Sequence, residues 1–196
     1  MKDRSSGRVP TATLTGTALL LALGVVLPMV FHAIPLGGRI FLPMHLPTFV
    51  AGLVLGPVAG LVVGAGSPIV STLLTGRPVA PFYMVPMMFE LSTYGLVVGL
   101  LRPRFEVLLR RTPADGAPDS PAGRPFGAVP LALLCAMLAG RIVWVAVVVW
   151  FAPLIGLTAR TVVMAIGAIG AGWIGMAIQL ALIPAIVRAI ERVRGT

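Results

Sequence analysis

Long apolar runs, broken only by short polar or glycine–proline interruptions, set the pattern of this chain. The first run covers 11–34, enough to cross a bilayer, which takes about 20 apolar residues as a helix. It ends at Pro35, Leu36, Gly37 and Gly38, a turn-prone stretch followed by Arg39. Apolar sequence then continues over 41–74. As one helix it would be about 51 Å long at 1.5 Å per residue, too long for a hydrocarbon core of ~30 Å. Gly56 and Pro57 divide it, because proline disfavours helical geometry in the residue before it. The pattern predicts two short spans, 41–56 and 58–74, joined by a tight uncharged turn. Gly52, Gly56, Gly60 and Gly64 recur at four-residue spacing across that turn, which predicts a closely packed hairpin.

Gly76, Arg77 and Pro78 break the chain again, and a fourth span is predicted over 82–101. The only long polar segment, 102–127, carries Arg102, Arg104, Arg110, Arg111 and Arg124 among Pro, Gly, Asp and Ser. It reads as a loop, with a short interfacial helix expected over 105–111. A fifth span covers 128–152 and a sixth 161–190. No internal repeat is evident, which argues against a carrier built from inverted repeats. The fold class expected is therefore an all-α integral membrane protein, one membrane domain over 1–196 with six transmembrane helices.

Composition agrees: 58% of residues are hydrophobic, mean hydropathy is +1.01 and only 11% are charged, against about 25% in soluble domains. The net charge of +9 by itself would suit nucleic acid, but the basic residues cluster at the ends of apolar runs rather than among aromatics, which argues against that role. With both termini in the cytoplasm, eleven Lys and Arg residues fall on the inner side, counting the loop 102–127, and three (Arg39, Arg77, Arg160) on the outer. That asymmetry is the positive-inside bias expected of six spans; a five-span arrangement would scatter the arginines over both faces. The first run is longer than the ~7–15 residues of a signal-peptide core and no A-x-A-like site follows, so it is read as a retained span.

Glu90 and Arg141 are the only acid and base well inside predicted spans. Each costs at least ~2.5–3.5 kcal/mol at the bilayer centre, so both must face the protein interior or a wet cavity. Counted from the outer ends of spans four and five they lie about 12 and 17 Å deep, close enough in level to meet. Two readings stay open: a structural ion pair locking two helices, or a pair in which at least one group touches a ligand. Tyr94 shares a face with Glu90 and Trp144 with Arg141, while His45, Tyr83 and Met87 lie near the outer surface. Together these suit recognition of a small polar molecule, although His45 is equally read as an interfacial histidine. Ala18 and Ala22, one turn apart, form a small-residue strip suited to close helix approach, within the chain or with a partner.

Other chemistry is excluded. Cys135 is the sole cysteine, so no internal disulfide or thiol metal site can form, and two histidines without an acidic cluster give no metal site. Walker, HExxH and GxSxG sequences are absent, and Ser67 and Ser71 have no evident histidine base; the chain is not expected to be an enzyme.

Four stretches carry a family resemblance: 41–60 (FLPMHLPTFVAGLVLGPVAG), 67–78 (SPIVSTLLTGRP), 89–95 (FELSTYG) and 140–143 (GRIV). They resemble the substrate-binding (S) components of energy-coupling-factor (ECF) vitamin transporters, and the likeness extends over about 10–190. It implies six helices with cytoplasmic termini in a bacterial cell membrane and an outward-facing pocket for a scarce water-soluble vitamin. It also implies a membrane scaffold subunit and two cytoplasmic ATPases as partners, with ATP and Mg²⁺ used by those ATPases and no cofactor in this chain. Ala18 and Ala22 match the family's scaffold-docking strip, and 35–40 corresponds to its lid loop. The nearest members by resemblance are those assigned to pantothenate, followed by pyridoxine and hydroxymethylpyrimidine carriers. Arg141 would suit the carboxylate of pantothenate, and Glu90 its hydroxyls or a pyrimidine amine. Two rivals remain from the residues alone: a secondary transporter or channel using Glu90 as a proton or cation site, and a non-binding assembly subunit.

Overall fold

A computed structural model describes residues 10–32, 42–78, 82–110, 127–156, 158, 163, 167 and 172–194. The elements are α1 (Thr11–His32), α2 (His45–Val54), α3 (Pro57–Thr75), α4 (Met84–Arg110), α5 (Ala128–Phe151), a 3-10 turn (Ala152–Ile155) and α6 (Trp173–Arg194). Five of these helices are long and apolar enough to cross a membrane: all but α2. The charged N-terminus, the 35–40 segment, residues 111–126 and Arg160 lie outside the described residues.

The second predicted span is shorter than expected. Over 41–56 the described helix is the ten-residue α2, about 15 Å long and half the depth of the core. Pro43 and Met44 form a turn before it. After it, Gly56 adopts φ 104°, a left-handed value that favours glycine, and Pro57 opens α3 at its first turn. The Gly56–Pro57 boundary is where the sequence places it; the helix before it is short because it starts only at His45, after the Pro43–Met44 turn.

α4 differs in the opposite sense. It runs unbroken for 27 residues to Arg110, through the region read as loop and separate interfacial helix. Arg102 explains the continuation, because protein rather than water solvates its charge. Its Nε donates to Glu106 Oε1 at 2.8 Å, one turn on, and its Nη1 to the Leu53 carbonyl at the end of α2 at 2.7 Å. Its Nη2 pairs with Glu191 of α6. One guanidinium thus ties three helices at a single end of the bundle. Removing one partner of a buried ionic cluster typically costs ~3–5 kcal/mol. Arg102→Met should accordingly lower the detergent melting temperature by about 10 °C at ~2–4 °C per kcal/mol. Arg102→Lys should recover little, since an ammonium lacks the planar fork that reaches three acceptors. A lysine variant melting with the parent would show that this three-way geometry contributes nothing.

α4 is the hub, packed against α2, α3 and α5. Phe49 and Leu53 of α2, Leu91, Tyr94 and Val98 of α4, Leu133 and Met137 of α5, and Ile183 and Val187 of α6 form one apolar core. The glycine strip closes the other side of α4. Gly52 and Gly60 face Gly95, and Gly64 faces the Leu91 backbone, so closely that a Cβ on any of them would meet main-chain atoms. α1 lies at the periphery, with only 17% of its apolar window buried, against 28–39% for the other four spanning helices. Ala18 and Ala22 are on its exposed side.

Candidate functional site

Four helices bring polar groups together at the end of the bundle opposite Arg102. Glu90 and Tyr94 stand one turn apart on α4, and the Tyr94 hydroxyl donates to Glu90 Oε1 at 2.6 Å. From α5, Arg141 Nη1 pairs with the same oxygen at 2.9 Å, while its Nη2 lies 3.9 Å from Met176 Sδ of α6. From α2, the Phe49 ring stacks on Tyr94 at 5.0 Å and the His45 ring tilts against it at 5.4 Å. Gly140, beside Arg141, is what admits the tyrosine: any Cβ there would overlap the Tyr94 ring. α4 and α5 can therefore approach closely enough for the ion pair because one side of the contact is glycine and the other a flat ring.

Glu90, Tyr94 and His45 are each no more than 2% exposed. A buried carboxylate at membrane depth is tolerable only if matched, and Glu90 is matched by one guanidinium and one hydroxyl. His45 is not. Among the described residues neither of its ring nitrogens completes a hydrogen bond, the Leu42 carbonyl offering at most an electrostatic contact, and Arg141 Nε completes none either. The Leu42 carbonyl beside His45 is already engaged by the His45 amide at 3.0 Å and by Gln179 Nε2 at 3.0 Å. Buried polar groups are nearly always bonded, so a histidine left unsatisfied marks a place for something else.

That place is a cavity of about 200 Å³ reaching His45. Its walls come from Pro28 and Met29 of α1, residues 42–44, the C-terminal end of α3 and Met87 of α4. They are mostly apolar, with Ser71, Thr75 and Arg77 supplying polarity at one side.

Of the residues singled out in the sequence, Glu90, Arg141, Tyr94 and His45 converge, and Met87 lines the cavity. Trp144 does not join them: it is buried with Val148, Phe82 and Val145 in a separate apolar cluster. Tyr83, 46% exposed, sits edge-on to Phe82 at 4.7 Å. Sequence reasoning missed Gln179, although it is the only carboxamide side chain in the chain and lies within an apolar span; that singularity was a usable signal. It also missed Arg77 and the α3 hydroxyls, which read as an ordinary helix end. Among the described residues no cluster of three metal-ligating side chains occurs.

The fold and the site define a small helical membrane protein with a cavity of about 200 Å³ that reaches a buried histidine. Over residues 12–190 the chain matches the model of the ECF transporter substrate-specific component, and it belongs to that family. It is thus a transporter subunit rather than an enzyme. Neither a curated protein nor a solved structure matches it.

Proposed function

We propose that this chain captures a water-soluble vitamin or vitamin precursor at the outer face of a bacterial cell membrane. It would deliver that ligand through an ATP-driven module made of a membrane scaffold subunit and two cytoplasmic ATPases. ATP and Mg²⁺ are handled by those partners; the chain itself carries no nucleotide-binding sequence. Beyond family membership, the observation that carries the reading is the cavity ending on His45, whose ring nitrogens complete no hydrogen bond among the described residues. An assembly subunit has no use for such a cavity.

The rival channel reading needs Glu90 to exchange protons or cations with water. Its burial and its two partners, Arg141 and Tyr94, argue against that. Six crossings with both termini inside remain the preferred topology: α2 and α3 form a hairpin reversed at Gly56–Pro57, and α2 counts as a shallow pass. The asymmetry of basic residues supports it even without Arg102, whose charge is consumed within the fold. Pantothenate is the first candidate ligand, with pyridoxine and hydroxymethylpyrimidine next.

Ligand binding and scaffold docking fall on different parts of the molecule, so they are separable. The purified chain should bind its vitamin alone, yet mediate uptake only when the partner module is present. Replacing exposed Ala18 and Ala22 with leucine should abolish co-purification with the scaffold and leave ligand affinity within about twofold. Uptake by vesicles holding this chain alone, driven by a proton gradient, would refute the proposal; loss of both properties in the double variant would refute the docking role.

A further inference from the structure

Two arginines offer a cation for an incoming ligand, Arg141 and Arg77. Of the two, Arg141 is the obvious choice from sequence, yet its charge is already matched by Glu90 at 2.9 Å and it does not line the cavity at His45. A carboxylate brought to Arg141 would compete with Glu90 and strand one carboxylate, buried and unmatched. Arg77 is in the reverse situation. It is exposed, lines the cavity, and forms no ion pair among the described residues. The described carboxylates are all held elsewhere, Glu90 by Arg141 and Glu106 and Glu191 by Arg102. No acidic residue lines the cavity.

The turn that carries Arg77 is clamped in place. Gly76 takes φ 70°, ending α3 in a left-handed cap. The Ser71 hydroxyl then donates to the Arg77 carbonyl at 2.7 Å, and the Thr72 hydroxyl to the Pro78 carbonyl at 2.9 Å. The Arg77 amide donates to Thr75 Oγ1 at 3.2 Å. Three hydroxyl-bearing residues of one helix end, Ser71, Thr72 and Thr75, are spent on holding this single turn at the cavity wall. Fixing the turn beforehand lowers the ordering cost when a ligand arrives.

From this we infer that the captured ligand carries one carboxylate, which pairs with Arg77, and an uncharged hydroxyl- or amide-bearing body, which hydrogen-bonds the imidazole of His45. The Glu90–Arg141–Tyr94 network closes the site behind His45 without meeting the ligand's charge. The inference rests on the capture reading, and the test separates the two.

The probes are pantothenate and panthenol, which differ in a carboxylate against a primary alcohol, with pyridoxine and hydroxymethylpyrimidine as comparators that carry no carboxylate and no net charge, each titrated by calorimetry against the full chain in detergent. The parent should favour pantothenate over panthenol by about two- to fivefold, the scale of an ion pair with an exposed arginine. Arg77→Gln should reduce pantothenate to the panthenol level and leave panthenol unchanged, with an unaltered ligand-free melting temperature showing that the turn is intact. His45→Phe should weaken both probes alike. Equal binding of the two by the parent, or no effect of Arg77→Gln, overturns the inference. Tight binding of an uncharged comparator alone overturns it too, while leaving the capture reading standing. Absence of binding to any of the four, or to a wider panel of B vitamins, removes both.

Discussion

Gly95→Ala is expected to remove most of the folded protein from the membrane fraction, a large effect for the addition of a single methyl group. The added Cβ would meet the carbonyl group of Gly60 and lie 2.7 Å from its Cα. Those are backbone atoms of a helix and cannot swing aside as a side chain does. Overpacking in an ordinary core costs ~1–3 kcal/mol because side chains yield. Here α3 would have to draw back from α4 along its length, losing the contact of Gly64 with the Leu91 backbone as well. In lipid, where helix association rests on close van der Waals packing, little else compensates. Gly60→Ala should behave in the same way. Gly127→Ala is the control, since a Cβ there finds only the end of Leu109 at 3.4 Å, an ordinary contact. Fluorescence-detected size-exclusion of the three variants reads the comparison directly. A monodisperse Gly95→Ala protein at parental yield would mean that α3 and α4 pack less tightly than described.

The second large effect lies at the ion pair. Glu90→Ala and Arg141→Ala should each destabilise the detergent-solubilised protein by ~3–5 kcal/mol, because each leaves an opposite charge buried without its match. At ~2–4 °C per kcal/mol for a chain of this size, a fall in melting temperature of about 10 °C or more follows. The double variant Glu90→Leu/Arg141→Met should recover most of that loss. Replacing a buried pair by apolar residues of similar volume is commonly neutral. Such recovery identifies the pair as a lock between α4 and α5. Affinity in the double variant then measures what else the pair does: binding retained within a few-fold fits a ligand read by His45 and Arg77, whereas complete loss returns Arg141 to the ligand. A double variant as unstable as the singles would contradict the lock.

Much of this was legible in one dimension because lipid imposes a simple rule. Apolar runs of spanning length, glycine–proline breaks and arginines at run ends are local properties, and they yielded an all-helical membrane protein with boundaries near Gly56, Gly76 and Gly127. Glu90 and Arg141 stood out for the same reason: an ionisable group inside an apolar run has to find a partner, and their depths allowed them to be that partner. The resemblance carried by four short stretches pointed to the family that the chain proves to belong to.

What only the tertiary structure decided is how those groups are spent. Arg102 looked like one more loop arginine until Glu191, 89 positions away, and the Leu53 carbonyl appeared beside it. Arg141 looked like the ligand's cation until its charge was seen to be matched, and Arg77 looked like punctuation at a helix end. Trp144, which shares a helical face with Arg141 in the sequence, turned to a different cluster. Hydropathy and spacing report whether a residue can be buried and which face it shares, but satisfaction of a hydrogen bond or a charge depends on atoms contributed by distant parts of the chain. Those atoms meet only when the helices pack, so the sequence determined which groups needed partners and the fold determined which of them still lack one.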